Sequence, residues 1–165
     1  MRMVRSAAMV LVALVSARRA APAQDVGIPV GSKAPAAAVQ TLDSKPADLA
    51  DFIGKTPVLI EFWATWCPNC KELEPAMKAA AAKYGSRVKF VGVSVTVNQS
   101  VEHVKAYVLK HVIPGTQVWD ARGKATEQYD VPATSFVVVI DKAGKVVYTG
   151  VGGTQDLDAA IKKGL

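Results

Sequence analysis

Six consecutive residues, Val58-Leu-Ile-Glu-Phe-Trp63, constrain this chain more than any other stretch. A β-strand turns successive side chains to opposite faces, so a run apolar at nearly every position must be covered on both sides. The next long segment, Lys71 to Tyr84, is rich in Ala, Lys, Glu and Met, all good helix formers, and Gly85 closes it. A doubly buried strand followed directly by a helix predicts an α/β protein with a central sheet between layers. Glu61 is the one acid inside the apolar run.

The rest of the chain continues the alternation. Gln24 to Pro46 predicts an extended opening segment with a short strand around Ala37–Leu42, and Asp48–Ile53 a helical turn stopped by Gly54. Val88–Val97 alternates valines with Gly92, Ser94 and Thr96, the pattern of a second strand. Val101, Val104, Val108 and Val112 recur at helical spacing, with Pro114-Gly115 as the stop. Thr116–Trp119 predicts a strand and Gly123–Tyr129 a brief helix. Phe136–Ile140 and Lys145–Thr149 predict a hairpin around Asp141–Gly144, and a last helix starts near Thr154 and stops at Gly164. At 165 residues the chain suits one domain, residues 24–165.

Residues 1–23 have a different character. Arg2 and Arg5 precede the apolar stretch Ala7–Ala17, and Ala21-Pro22-Ala23 offers a cleavage site of small residues. This predicts a secretory leader, with an uncleaved membrane anchor as the alternative. The leader holds four of the twenty basic residues and none of the fourteen acidic ones, so the remainder carries a formal +2 rather than +6. That near-balance gives no case for nucleic-acid binding. Export would place the protein in a periplasmic or other extracytoplasmic compartment, where a disulfide can persist.

The chain has two cysteines, Cys67 and Cys70, separated by Pro68 and Asn69. So short a loop gives a structural disulfide little to constrain. Zinc needs further ligands, and His103 and His111 lie more than thirty residues away. Haem attachment needs a histidine after the second cysteine, where Lys71 stands. Redox chemistry remains. At a helix start, Cys67 would face unpaired N–H groups and the positive end of the helix dipole, which stabilise a nucleophilic thiolate. Cys70, one turn further in, could resolve a mixed disulfide. Pro68 suits the first helical turn. Glu61, six residues before Cys67, is a candidate proton acceptor for Cys70, because a buried carboxyl tends to a raised pKa. A solvent-facing or structural Glu61 is the alternative.

"FWATWCPNC" (Phe62–Cys70), with "GSKAP" (Gly31–Pro35) and "VPATSF" before a strand, resembles the thioredoxin superfamily and, more closely, exported TlpA/ResA-type thiol–disulfide oxidoreductases. The resemblance implies a thioredoxin-like three-layer sandwich with a mixed sheet, an N-terminal extension and a central strand-helix insertion. It also implies that Pro132 is cis and lies against the cysteine pair, with Val131 beside the substrate chain. Pro132 to Asp141 is a few residues longer than the family's usual segment, which puts the register of that strand in question. Trp63 is expected in the core. Trp66, before a cysteine expected to be exposed, is expected to line the substrate surface together with Pro68. Pro75 is expected to shape the helix, and the two histidines to be surface or boundary residues.

The expected activity is protein-disulfide reduction by the Cys67–Cys70 dithiol, with no dissociable cofactor or metal, by a monomer reduced in turn by a membrane-bound electron donor. Apocytochrome c is one target by resemblance, hence a link to cytochrome c maturation. Disulfide oxidation uses the same residues in reverse, but Pro68-Asn69 supplies no histidine to stabilise a thiolate. A Cu(I)-binding chaperone is a third reading, since thiolates suit that ion. Peroxiredoxin-type chemistry is not expected, because Ala64 rather than threonine stands three residues before Cys67.

Overall fold

The computed structural model describes residues 27–165, so the expected leader lies outside the described residues. Seven strands form one mixed sheet: β1 (Ala38–Thr41), β2 (Pro46–Asp48), β3 (Val58–Trp63), β4 (Lys89–Ser94), β5 (Thr116–Trp119), β6 (Phe136–Ile140) and β7 (Val146–Val151). Four α-helices join them: α1 (Pro68–Tyr84), α2 (Val101–His111), α3 (Lys124–Gln128) and α4 (Leu157–Lys162). The strand order is β2-β1-β5-β4-β3-β6-β7. β3 lies parallel to β4 and antiparallel to β6, and β4 lies parallel to β5.

All six residues of β3 are buried, as its composition requires. Val58, Ile60 and Phe62 join Val91, Val93, Phe136 and Tyr129 in a core on one face of the sheet. Leu59 turns the other way, to Leu73, Met77, Ala80 and Tyr84 of α1 and Leu157 and Ile161 of α4. Trp63 continues that second face into a smaller cluster with Cys67, Cys70, Val104 and Trp119. Each fully buried Leu or Phe stabilises such an arrangement by about 1.5–3 kcal/mol. This is the three-layer sandwich, with β1, β2 and the segment before them as the extension.

Three local expectations change. The short edge strand β2 was not anticipated, because proline and aspartate are poor strand formers. The second strand stops at Ser94 rather than Val97: its pairing with β5 ends at Ser94 opposite Trp119, and Val97 is exposed. α2 ends at His111, since Val112 adopts a left-handed conformation with φ 51°. Pro75 sits inside α1, which continues through it to Tyr84.

Candidate active site

β3 carries the chain to the N-terminus of α1, where Cys67 is the N-cap and Pro68 begins the helix. The Cys67 Sγ accepts the backbone N–H of Cys70 at 3.1 Å, an interaction equally suited to a thiolate. Cys67 and Cys70 are joined as a disulfide with Cα atoms 5.3 Å apart. The approach loop is held from outside: the Thr65 N–H and hydroxyl both donate to Gln99 Oε1, at 2.9 and 2.8 Å. Gln99 in turn donates to the Val95 carbonyl.

Cys67 is not exposed as expected. It is 1% accessible, less than Cys70 at 8%, because it packs among Trp63, Ala64, Val95 and Trp119. Trp63 is a core residue, and its indole N–H donates to Gln117 Oε1 at 3.1 Å. Trp66 is exposed, as expected, and its indole N–H donates to the Val97 carbonyl at 2.7 Å. Pro68 is also exposed. Trp66, Val95, Val97, Val131 and Ala133 line an apolar groove of about 420 Å³, and Val95 also packs in the cluster that holds the cysteine pair.

Pro132 requires a correction. No peptide bond among the described residues is cis, so the bond before Pro132 is trans. Ala133, Thr134 and Ser135 separate this exposed proline from β6, the extra length noted in the sequence. Ser135 hands the chain to the sheet: it is fully buried, has φ 62°, and its N–H donates to the Phe62 carbonyl at 2.8 Å. Proline, fixed near φ −65°, cannot take that conformation. Gln155 secures the turn by donating to the carbonyls of Ser135 and Gly152.

Glu61 shares the α1-facing side of β3 with Leu59 and Trp63, and lies in register between Gly92 and Val137. It is buried, and its Oε1 has no hydrogen-bond partner. Burial, followed by the charge of Glu74, raises its pKa from the usual 4.5 to about 8. A cavity of about 20 Å³ lies beside it, lined by Trp63, Cys70, Glu74, Tyr107 and Pro114 as well as Glu61. That is room for a single water molecule. The acid and the second cysteine therefore line one small cavity, and the burial of Glu61 removes the solvent-facing alternative.

Gln99, Gln117, Glu74 and Tyr107 were not singled out in the sequence. For Glu74 a signal existed: it stands four residues after Cys70, on the same helix face. His111 stacks on Tyr107 with ring centroids 4.0 Å apart, a boundary position. Among the described residues, no three or more His, Cys, Asp or Glu side chains gather as a metal site.

A family model described as Redoxin matches residues 29–162. Over 130 residues the chain is 30% identical to the thioredoxin-like protein YneN of Bacillus subtilis (strain 168), covering 78% of this chain and 75% of that one. It is 29% identical over 136 residues to the thiol-disulfide oxidoreductase ResA of Bacillus thuringiensis subsp. konkukian (strain 97-27), covering 81% and 78%. Among solved structures, it resembles a thiol:disulfide interchange protein of the thioredoxin family from Chlorobium tepidum TLS, with TM-score 0.68 and 28% identity over 82% of this chain and 97% of that one. It also resembles a secreted Mycobacterium tuberculosis disulfide oxidoreductase homologous to E. coli DsbE, with TM-score 0.64 and 27% identity over 76% and 92%.

Proposed function

We propose that this chain, which belongs to the Redoxin family, is an exported protein-disulfide reductase. It is a protein thiol–disulfide oxidoreductase of the TlpA/ResA type. The direction, the compartment and the partners are the proposal. The observation that carries it is the placing of Glu61 and Cys70 on one small cavity, beneath a helix N-terminus capped by Cys67.

In the reduced enzyme the Cys67 thiolate attacks a sulfur of the substrate disulfide. The new Cys67–substrate bond forms as the substrate's own S–S bond breaks, and one substrate cysteine leaves as a thiolate. Cys70 then loses its thiol proton to Glu61 and attacks Cys67. The Cys67–Cys70 bond forms, the second substrate cysteine leaves as a thiolate, and the two enzyme electrons have passed to the substrate. A pKa raised to about 8 suits a carboxylate that must take a thiol proton near neutral pH. No dissociable cofactor enters this cycle.

Residues 1–23 support export, and a membrane-bound donor would restore the dithiol. Among the described residues no helix is long and apolar enough to cross a membrane. Oxidised apocytochrome c is one proposed substrate. The reduction potential of Cys67–Cys70 tests the direction. A thioredoxin-like value near about −270 mV is expected, and one near about −120 mV would make the protein an oxidant and overturn the reductase reading.

A further inference from the structure

Two carboxylates line the cavity behind the cysteine pair, one from the sheet and one from α1. Glu61 is buried, with an unpartnered oxygen, and less accessible than Glu74. A base in that position can accept one proton, but its next turnover requires the proton to leave. Glu74 touches both environments. Its side chain lines the cavity, is 19% accessible, and places Oε1 2.6 Å from Lys78 Nζ near the surface.

The other walls offer no comparable exit. Lys71, on the rim from α1, is an ammonium with no acceptor for a proton. Tyr107 closes the α2 side, and burial and the charge of Glu74 both hold its hydroxyl in the neutral form. His111 lies against Tyr107 and is not part of the cavity wall. From β4 and β5, Gly92 and Gln117 bring no charge to the Glu61 side of the sheet. Trp63, Ala64, Met77, Ile113 and Pro114 complete the lining without a titratable group.

We propose that Glu74 is the proton outlet of Glu61, receiving from it the proton taken from Cys70 and passing that proton to solvent. The S–H bond of Cys70 breaks as an O–H bond forms on Glu61. That bond then breaks as one forms on Glu74, which yields the proton to water or buffer, and no electrons move between the carboxylates. Glu74 thus acts through Glu61 rather than on the sulfurs, and its charge also sets how tightly Glu61 holds the proton. The inference rests on Glu61 being the acceptor for Cys70.

Two measurements test it. In the oxidised protein, where no thiol titrates, the Glu61 carboxyl is followed by carbon-13 NMR and assigned by its loss in Glu61→Gln. Glu74→Gln should lower its midpoint by roughly one pH unit, by removing a like charge. Lys78→Met should leave the midpoint in place or raise it. An unchanged midpoint in Glu74→Gln overturns the proposal. So does a fall in both variants, which would mean only that a loosened wall admits water.

The second measurement is the rate, against pH, of repeated turnover with a protein disulfide and excess reductant, in which every cycle must clear from Glu61 the proton taken from Cys70. Glu74→Gln should slow it about tenfold, less than loss of the base itself, and Glu74→Asp should restore most of the rate. A slowed Glu61→Gln with an unchanged Glu74→Gln overturns the outlet alone. An unchanged Glu61→Gln removes the acceptor reading and the outlet with it.

Discussion

Gly92 leaves vacant the place where the Gln117 side chain sits: a Cβ built on Gly92 would lie 2.0 Å from Gln117 Oε1. That oxygen accepts the Trp63 indole N–H, and the same amide donates to the Pro114 carbonyl at 2.8 Å. Gly92 also lies directly across from Glu61 in the β3–β4 ladder. The missing side chain therefore lets a polar clamp reach the floor of the active site. Gly92→Ala should displace Gln117 and strand the Trp63 donor, costing about 1–3 kcal/mol. Urea unfolding of the oxidised protein measures that cost; an unchanged midpoint would show that the clamp contributes nothing.

Glu61 makes stability depend on pH in a particular direction. Its folded pKa, about 8, lies above the usual 4.5. Between those values the folded protein keeps a proton that the unfolded chain has released, so stability falls as pH rises through the window and levels off above it. Glu61→Gln cannot titrate. The variant should therefore gain stability relative to the parent from pH 5 to pH 8.5, whatever its absolute value at pH 5. Unfolding curves at several pH values check the slope. A constant difference between the two proteins would place the Glu61 pKa near its ordinary value.

What the sequence disclosed and what it hid divide along physical lines. β3 and the start of α1 were legible because burial pattern, capping cysteine and N-terminal proline all depend on local residues. The path of Val88–Val97 was only partly legible, because alternation continues to Val97 whereas the pairing partner β5 ends at Trp119. The enclosure of Glu61 was expected from its apolar neighbours, but Gln117 and Tyr107 reach the site from β5 and α2. Their spacing along the chain carries no trace of that contact. Pro132 failed for a related reason: three further residues precede β6, and the conformation at its threshold belongs to Ser135.

The two cysteines have separable parts, and single substitutions should separate them. Cys67→Ser should abolish capture of a disulfide-bonded protein substrate. Cys70→Ser should retain capture but lack the group that releases it, so a covalent mixed disulfide accumulates with no turnover. Mass spectrometry of reduced enzyme mixed with substrate, after acid quenching, distinguishes the two. Equal trapping by both variants would contradict the order of attack, and with it the assignment of the helix-capping sulfur as nucleophile.

Trp66 should matter for substrate recognition and little for the redox pair itself. Its indole is anchored to the Val97 carbonyl yet remains 43% accessible, and it forms one side of the apolar groove with Val97 and Val131. The disulfide packs instead against Trp63, Val95, Val104 and Trp119. Trp66→Ala should therefore raise KM for a protein disulfide about tenfold, the scale of about 1.4 kcal/mol of lost apolar contact. The Cys67–Cys70 reduction potential should stay within about 30 mV of the parent, because the helix N-terminus is untouched. Steady-state kinetics with a protein disulfide, set beside a glutathione redox titration, tests both halves. A potential that shifts while KM holds would reverse the assignment and make Trp66 part of the sulfur environment rather than of the docking surface.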